Sequence, residues 1–179
     1  MLRRLVVGAV IVLPIVGGHP VSATIVVPPP NSVCDFLTGG GFIVGRGTSS
    51  LAQGAKANFG VGGGLKHGDP WGHLEYNGRG AKPIQVHGTG VTEYGVPTWS
   101  TSAYSRMIKG TAEVDGIDGY SYSVVVTDKA EPGAGIDEFS IYVFDRDGRE
   151  VYSAGFGDGD GALAGGNIQL HNSNSSTCP

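Results

Sequence analysis

The segment IKGTAEVDGIDGYSYSVVV, residues 108–126, contains the pattern that decides the fold class. Apolar and polar residues alternate on both sides of the central DGIDG, so each flank has one apolar and one polar face. Alternation with a period of two predicts β-strands, and Asp-Gly pairs between two such runs predict a hairpin turn. A register that pairs Val114 with Tyr120 and Ala112 with Tyr122 would keep the apolar residues on one face.

The same alternation recurs along most of the chain, interrupted by short turns rich in glycine and aspartate. We expect strands in residues 55–61, 73–76, 84–87, 108–114, 120–126, 139–143, 151–153 and 168–171. No segment after Cys34 has the periodicity of a helix. The sequence therefore predicts an all-β domain, either an antiparallel β-sandwich or a partly closed barrel of about eight to ten strands.

Two glycine runs mark the two ends of this predicted domain. LTGGGFIVG (37–45) opens it and LAGGNIQLH (163–171) closes it. Glycines at the start of a strand permit a bend or the close approach of another backbone. If the two strands are antiparallel neighbours, Cys34 before the first and Cys178 after the last come close enough for a disulfide. We predict that bond, because an even number of cysteines in an exported chain favours pairing.

The N-terminus predicts export from the cell. Residues 1–23 combine two arginines, a short apolar stretch and small residues before a cleavage point, as a signal peptide does. Residues 24–36 form a proline-rich, extended lead-in, residues 37–172 the β domain, and residues 173–179 a tail tied by the disulfide. We expect a secreted, extracellular protein.

The charge of the chain restricts its partners. It carries 16 acidic and 12 basic residues, and two of the basic ones, Arg3 and Arg4, belong to the predicted signal peptide. An acidic chain without basic runs argues against binding to nucleic acid or to an anionic membrane. An extracellular protein or a glycan is the partner class that remains, and the oligomeric state is left open.

Several motifs in order resemble one known family. They are LTGGGFIVG, KANFGVGGG, GHLEYNGRG, IQVHGTGV, IKGTAEVDGIDGYSYSVVVTD, PGAGIDEFSIYVFD and AGGNIQLH, which together cover residues 37–171. This series is similar to the post-COAP family of secreted bacterial domains. The resemblance implies an exported β domain of undefined biochemical role, and it brings no catalytic residues onto this chain.

Histidines give the first candidate metal site. A hairpin of residues 72–77 and 82–88 that pairs Leu74 with Val86 would place His73 opposite His87, with Glu75 on the same face. Two imidazoles and a carboxylate are suitable ligands for zinc or copper. The alternative is two solvated histidines on a wet face, since the spacing fixes no third ligand.

Acidic residues give the second candidate metal site. Asp128, Glu131 and Asp137 lie within a loop that contains Pro132 and several glycines. Carboxylates on such a loop suit calcium, which is the one cofactor candidate, although no complete calcium-binding loop motif is present. Aspartate and glycine are also ordinary turn residues, so a plain turn is the alternative.

Aromatic residues in or near predicted loops give a candidate ligand surface. Trp71, Trp99 and Tyr104 could stack on sugar rings or could cover the ends of the core. There is no G-x-S-x-G motif, and both cysteines are expected to be bonded, so we expect no enzyme. We therefore predict a non-catalytic secreted domain with a structural or recognition role; the alternatives are a carbohydrate-binding module and a small secreted hydrolase.

Overall fold

The computed structural model describes residues 33–156 and 161–172. It contains nine strands: β1 (Phe36–Val44), β2 (Lys56–Lys66), β3 (Asp69–Gly78), β4 (Ile84–Gly95), β5 (Ser105–Val114), β6 (Ile117–Thr127), β7 (Glu138–Phe144), β8 (Glu150–Ala154) and β9 (Gly165–His171). The described residues include no helix, and hence none long and apolar enough to cross a membrane. The predicted signal peptide and C-terminal tail lie outside the described residues, so both stay predictions.

The nine strands form one antiparallel sheet in the order β8-β7-β6-β5-β4-β3-β2-β1-β9. Eight strands follow each other as a meander, and β9 returns to pair with β1. The sheet is curled like a half-barrel, and β2 and β7 therefore meet across its concave side. There the rings of Phe59 and Phe139 stack with centroids 3.9 Å apart. The predicted all-β fold, a partly closed barrel with adjacent terminal strands, is confirmed.

Glycines make the pairing of β1 with β9 possible. Gly41 lies directly opposite Gly166 in the register. A β-carbon on Gly41 would overlap the carbonyl oxygen of Gly165, and one on Gly166 would overlap that of Gly40. Gly166 also has a φ of 107°, which side chains rarely adopt. The two glycine runs therefore face each other and allow the first and last strands to approach closely.

The β5–β6 hairpin has a different register from the one that the alternation predicts. Ala112 pairs with Tyr120, not with Tyr122, and Val114 pairs with Ile117 across a bulge. Asp115 and Gly116 have φ values of 49° and 81°, as a two-residue hairpin turn requires. The predicted pairing was wrong because a shift of two residues keeps the same face, so only the turn chemistry can select the register.

The core lies on the concave side of the sheet and is closed in part by loops. Across the core, the hydroxyl groups of Tyr76 on β3 and Tyr152 on β8 form a hydrogen bond of 2.8 Å. In the loop between β1 and β2, the N–H of Ser50 donates to the carbonyl of Ser153 on β8 at 2.9 Å. This loop bonds to the backbone of the edge strand β8, so part of that edge is covered.

Candidate functional site

The loop between β6 and β7, predicted as a calcium site, bonds to the backbone of β9. Asp137 is fully buried, and its Oδ2 accepts the N–H of Ile168 at 2.9 Å. Its Oδ1 accepts the N–H of Lys129 at 2.8 Å. Asp128 accepts the N–H of Leu170 through Oδ2 at 2.8 Å. Two carboxylates of the predicted set thus accept hydrogen bonds from backbone N–H groups two residues apart on β9.

Glu131, the third carboxylate, contacts β9 through a side chain. Its Oε1 accepts from Nδ2 of Asn167 at 3.1 Å, and Oδ1 of Asn167 accepts the N–H of Gly133 at 2.6 Å. Within residues 33–156 and 161–172, no three His, Cys, Asp or Glu side chains are grouped so that they could hold a metal ion. Calcium binding at this loop stays a prediction, and the hydrogen bonds give the carboxylates a structural role.

The histidine pair is separated by the true register of β3 and β4. His87 lies opposite Glu75, and its Nδ1 is 2.5 Å from Glu75 Oε1, whereas His73 lies opposite Gly62 of β2. The predicted pairing of His73 with His87 was wrong by two residues. The predicted faces were right, because Leu74 and Val86 are buried. A shift of two residues leaves both faces unchanged, which is why alternation could not detect it.

A polar cleft of about 390 Å³ lies on the convex face of β2 to β5; we call it the histidine cleft. His87 pairs with Glu75 on one side and with Glu113 on the other. The lining of the cleft also includes the amide side chains of Asn58, Asn77 and Gln85. Glu75 and His87 are both well exposed, with 62% and 60% of their side chains accessible, so water screens the contact between them.

A second cleft, of about 450 Å³, lies between the β4–β5 loop and the convex face of β5 to β7; we call it the Trp99 cleft. Trp99 is 68% exposed. The polar side chains in the lining are Ser100, Thr101, Ser102, Ser105, Thr127, Lys129, Glu138 and Ser140. Lys129 Nζ lies 2.6 Å from Glu138 Oε1. An exposed indole, hydroxyl groups and an ion pair therefore line one cleft.

Hydrogen bonds within the β4–β5 loop hold the segment that carries Trp99. The N–H of Ser100 donates to the carbonyl of Pro97 at 3.0 Å, and the N–H of Ser102 donates to Ser100 Oγ at 3.1 Å. Arg106 donates through Nη1 to the carbonyl of Ala103 at 2.9 Å. The loop is thus fixed on both sides of the indole.

The three predicted stacking residues are exposed but do not form one surface. Tyr104 is 62% exposed and belongs to the same loop as Trp99, but it is not part of the cleft lining. Trp71 lies on β3, where its ring is 6.1 Å from that of Phe36. Trp99 lines one of the two clefts described above, whereas Trp71 and Tyr104 line neither, so Trp99 is the residue on which a binding hypothesis rests.

A largely buried ion pair at the end of the sheet was not predicted from the sequence. Arg106 donates through Nε to Asp35 Oδ1 at 2.9 Å and through Nη2 to Oδ2. The hydroxyl of Tyr94 donates to Asp35 Oδ1 at 2.6 Å, and burial together with this bond raises the pKa of Tyr94. A signal was available, since Arg106 alternates in phase with the buried Ile108 and so belongs to the core face.

The predicted disulfide also belongs to this end of the molecule. Cys34 directly precedes Asp35, and Phe36 pairs with His171, so the start of β1 lies beside the end of β9. Cys178 lies outside the described residues, and the bond therefore stays a prediction.

Comparison of the chain with protein-family models, with curated proteins and with solved structures gives no match. The resemblance to the post-COAP family accordingly stays a prediction from the quoted motifs.

Proposed function

We propose that this protein is a non-catalytic recognition domain of the cell exterior and that it binds carbohydrate in the Trp99 cleft. The observation that carries the proposal is the indole of Trp99, 68% exposed above a wall of hydroxyl groups and one ion pair. The export signal predicted in residues 1–23 supports an extracellular setting.

The chemistry of the cleft suits a sugar ring. One face of a pyranose presents C–H groups to an aromatic ring, while its hydroxyls need hydrogen-bonding partners. Ligand clefts in general combine apolar contact area with a few polar groups that fix orientation. An exposed indole would otherwise leave a large apolar area in water, so covering it with a ligand is favourable.

The charged groups of this cleft favour recognition over hydrolysis. Glycoside hydrolysis commonly uses two carboxyl groups on opposite sides of the scissile bond. Among the described residues that line the Trp99 cleft, Glu138 is the one carboxylate, and it is paired with Lys129.

A glycan array probed with the wild-type protein tests the proposal. Trp99→Ala should weaken binding about tenfold or more, because it removes the stacking surface. Trp71→Ala is the matched control, since Trp71 is an exposed tryptophan outside the cleft, and its binding should equal that of wild type. Equal binding by wild type and Trp99→Ala, or binding to no glycan, would refute the proposal.

A small hydrolase is the second candidate, and the histidine cleft is the observation that favours it. Glu75 and Glu113 flank His87 in the register of three neighbouring strands. A carboxylate hydrogen-bonded to an imidazole could act in proton transfer. Turnover of chromogenic glycosides or esters by wild type, lost in Glu75→Gln, would support this function, and no turnover would refute it.

A further inference from the structure

The ion pair between Lys129 and Glu138 has unused hydrogen-bonding capacity that faces the Trp99 cleft. The two side chains remain 42% and 43% exposed, and one contact of 2.6 Å joins Nζ to Oε1. An ammonium group has three donors, and a carboxylate has several acceptor positions. Each partner can therefore bond to a ligand without breaking the pair.

The backbone at both residues is fixed by the neighbouring Asp137. The N–H of Lys129 donates to Asp137 Oδ1 at 2.8 Å, and Asp137 directly precedes Glu138. Glu138 pairs with Thr127 in the sheet and forms a bridge with Ala162. A donor and an acceptor are thus presented side by side from a rigid support, which reduces the entropy lost on binding.

The hydroxyl groups deeper in the cleft are already engaged. Ser105 and Thr127 are buried and bond to each other through their hydroxyls at 3.0 Å. Ser140 donates to the carbonyl of Val125 at 3.2 Å. Lys129 and Glu138 are the charged residues among the described lining residues, and they remain able to bond to a ligand beside Trp99.

We infer that the Trp99 cleft selects sugars with two free hydroxyl groups on adjacent carbons. One hydroxyl donates to Glu138 and its neighbour accepts from Lys129, while the ring stacks on Trp99. A glycan whose linkage occupies one of the two oxygens leaves one charged group without its partner, and binding is weaker. This inference rests on the proposed function and specifies its ligand class.

Matched polymers on a glycan array provide the test. Residues within a 1,4-linked glucan keep adjacent hydroxyls at carbons 2 and 3, whereas those within a long 1,3-linked glucan have none. Galactans and mannans of both linkages are arrayed beside them. For any sugar that binds, wild type should bind the 1,4-linked polymer, which carries the adjacent hydroxyls, at least tenfold more tightly than the 1,3-linked polymer.

Variants connect this preference with the ion pair. Lys129→Met combined with Glu138→Gln should abolish the preference and leave weak, linkage-independent binding through Trp99. Lys109→Met with Glu93→Gln is the control, because that pair has a similar distance of 2.8 Å and similar exposure but does not line the cleft.

Equal binding of the two linkages by wild type, a preference for the 1,3-linked polymer, or a preference that survives in the Lys129/Glu138 variant overturns this inference and leaves the proposed function standing. Binding of no glycan overturns both.

Discussion

Asp137, which directly precedes β7, accepts the N–H of Ile168 on β9 at 2.9 Å. The bond joins two parts of the sheet that no strand pairing connects, since β7 and β9 are separated by six strands in the strand order. With Asp128 bonded to Leu170, it gives β9 two acceptors on the side that β1 does not cover. The β6–β7 loop thereby takes the place of a neighbouring strand.

Asp137→Asn should destabilise the fold by about 1–3 kcal/mol, because the amide turns one of two buried acceptors into a donor that faces an N–H group. Urea unfolding measures the loss. Asp147→Asn is the control, since Asp147 lies in an exposed turn, and its stability should stay within about 0.5 kcal/mol of wild type. An unchanged midpoint for Asp137→Asn would contradict the structural role of this carboxylate.

Gly41→Ala should destabilise the protein by about 1–3 kcal/mol or more, because its β-carbon overlaps the carbonyl oxygen of Gly165 and the backbone must move. Gly40→Ala is the matched control one residue earlier, where the nearest atom is 3.5 Å away. Thermal unfolding of both variants measures the difference. Equal stability of the two would mean that β1 and β9 do not approach as described.

Removal of the hydroxyl group should affect the stability of the fold differently at two tyrosines. Tyr122 is buried, and its hydroxyl has no hydrogen-bond partner among the described residues, so Tyr122→Phe should be neutral or slightly stabilising. Tyr94→Phe removes a donor to Asp35 and should lower stability by about 1–3 kcal/mol. Urea unfolding compares them, and a larger loss in Tyr122→Phe would contradict both assignments.

Alternation along the chain predicted the buried side of strands such as β3 and β4, but it could not predict register. Leu74 and Val86 lie inside as expected, yet β3 and β4 pair two residues away from the predicted position. The same error occurred at Ala112 and Tyr120. A displacement of two residues leaves every side chain on the same face of the sheet. Turn geometry and packing therefore decide the register, and neither can be read from periodicity.

Side-chain roles were less predictable than faces. The loop aspartates were recognised as a cluster, but their bonds to β9 depend on the return of residues 165–171 to β1, which is a long-range contact. Arg106 was predictable in principle from its phase within β5. The contribution of Trp99 to a cleft could not be predicted, because it depends on where its loop lies over β5 to β7.

Peptide mapping under non-reducing conditions should recover Cys34 and Cys178 in one linked fragment from the exported protein. The antiparallel pairing of β1 with β9 places the start of β1, just after Cys34, beside the end of β9. Reduction should lower stability by up to roughly 5 kcal/mol, the chain-entropy value for a loop of this size. Two alkylatable thiols in the exported protein would contradict the predicted bond.

The most direct test of the account is an amide and indole NMR titration of the full chain with the strongest ligand from the array. Shifts should be confined to Trp99, Lys129, Glu138 and the residues beside them in the Trp99 cleft. The resonances of His87 and Glu75 serve as the internal control for the histidine cleft. Shifts confined to the histidine cleft, or an unperturbed Trp99 indole at saturation, would contradict carbohydrate recognition by the Trp99 cleft.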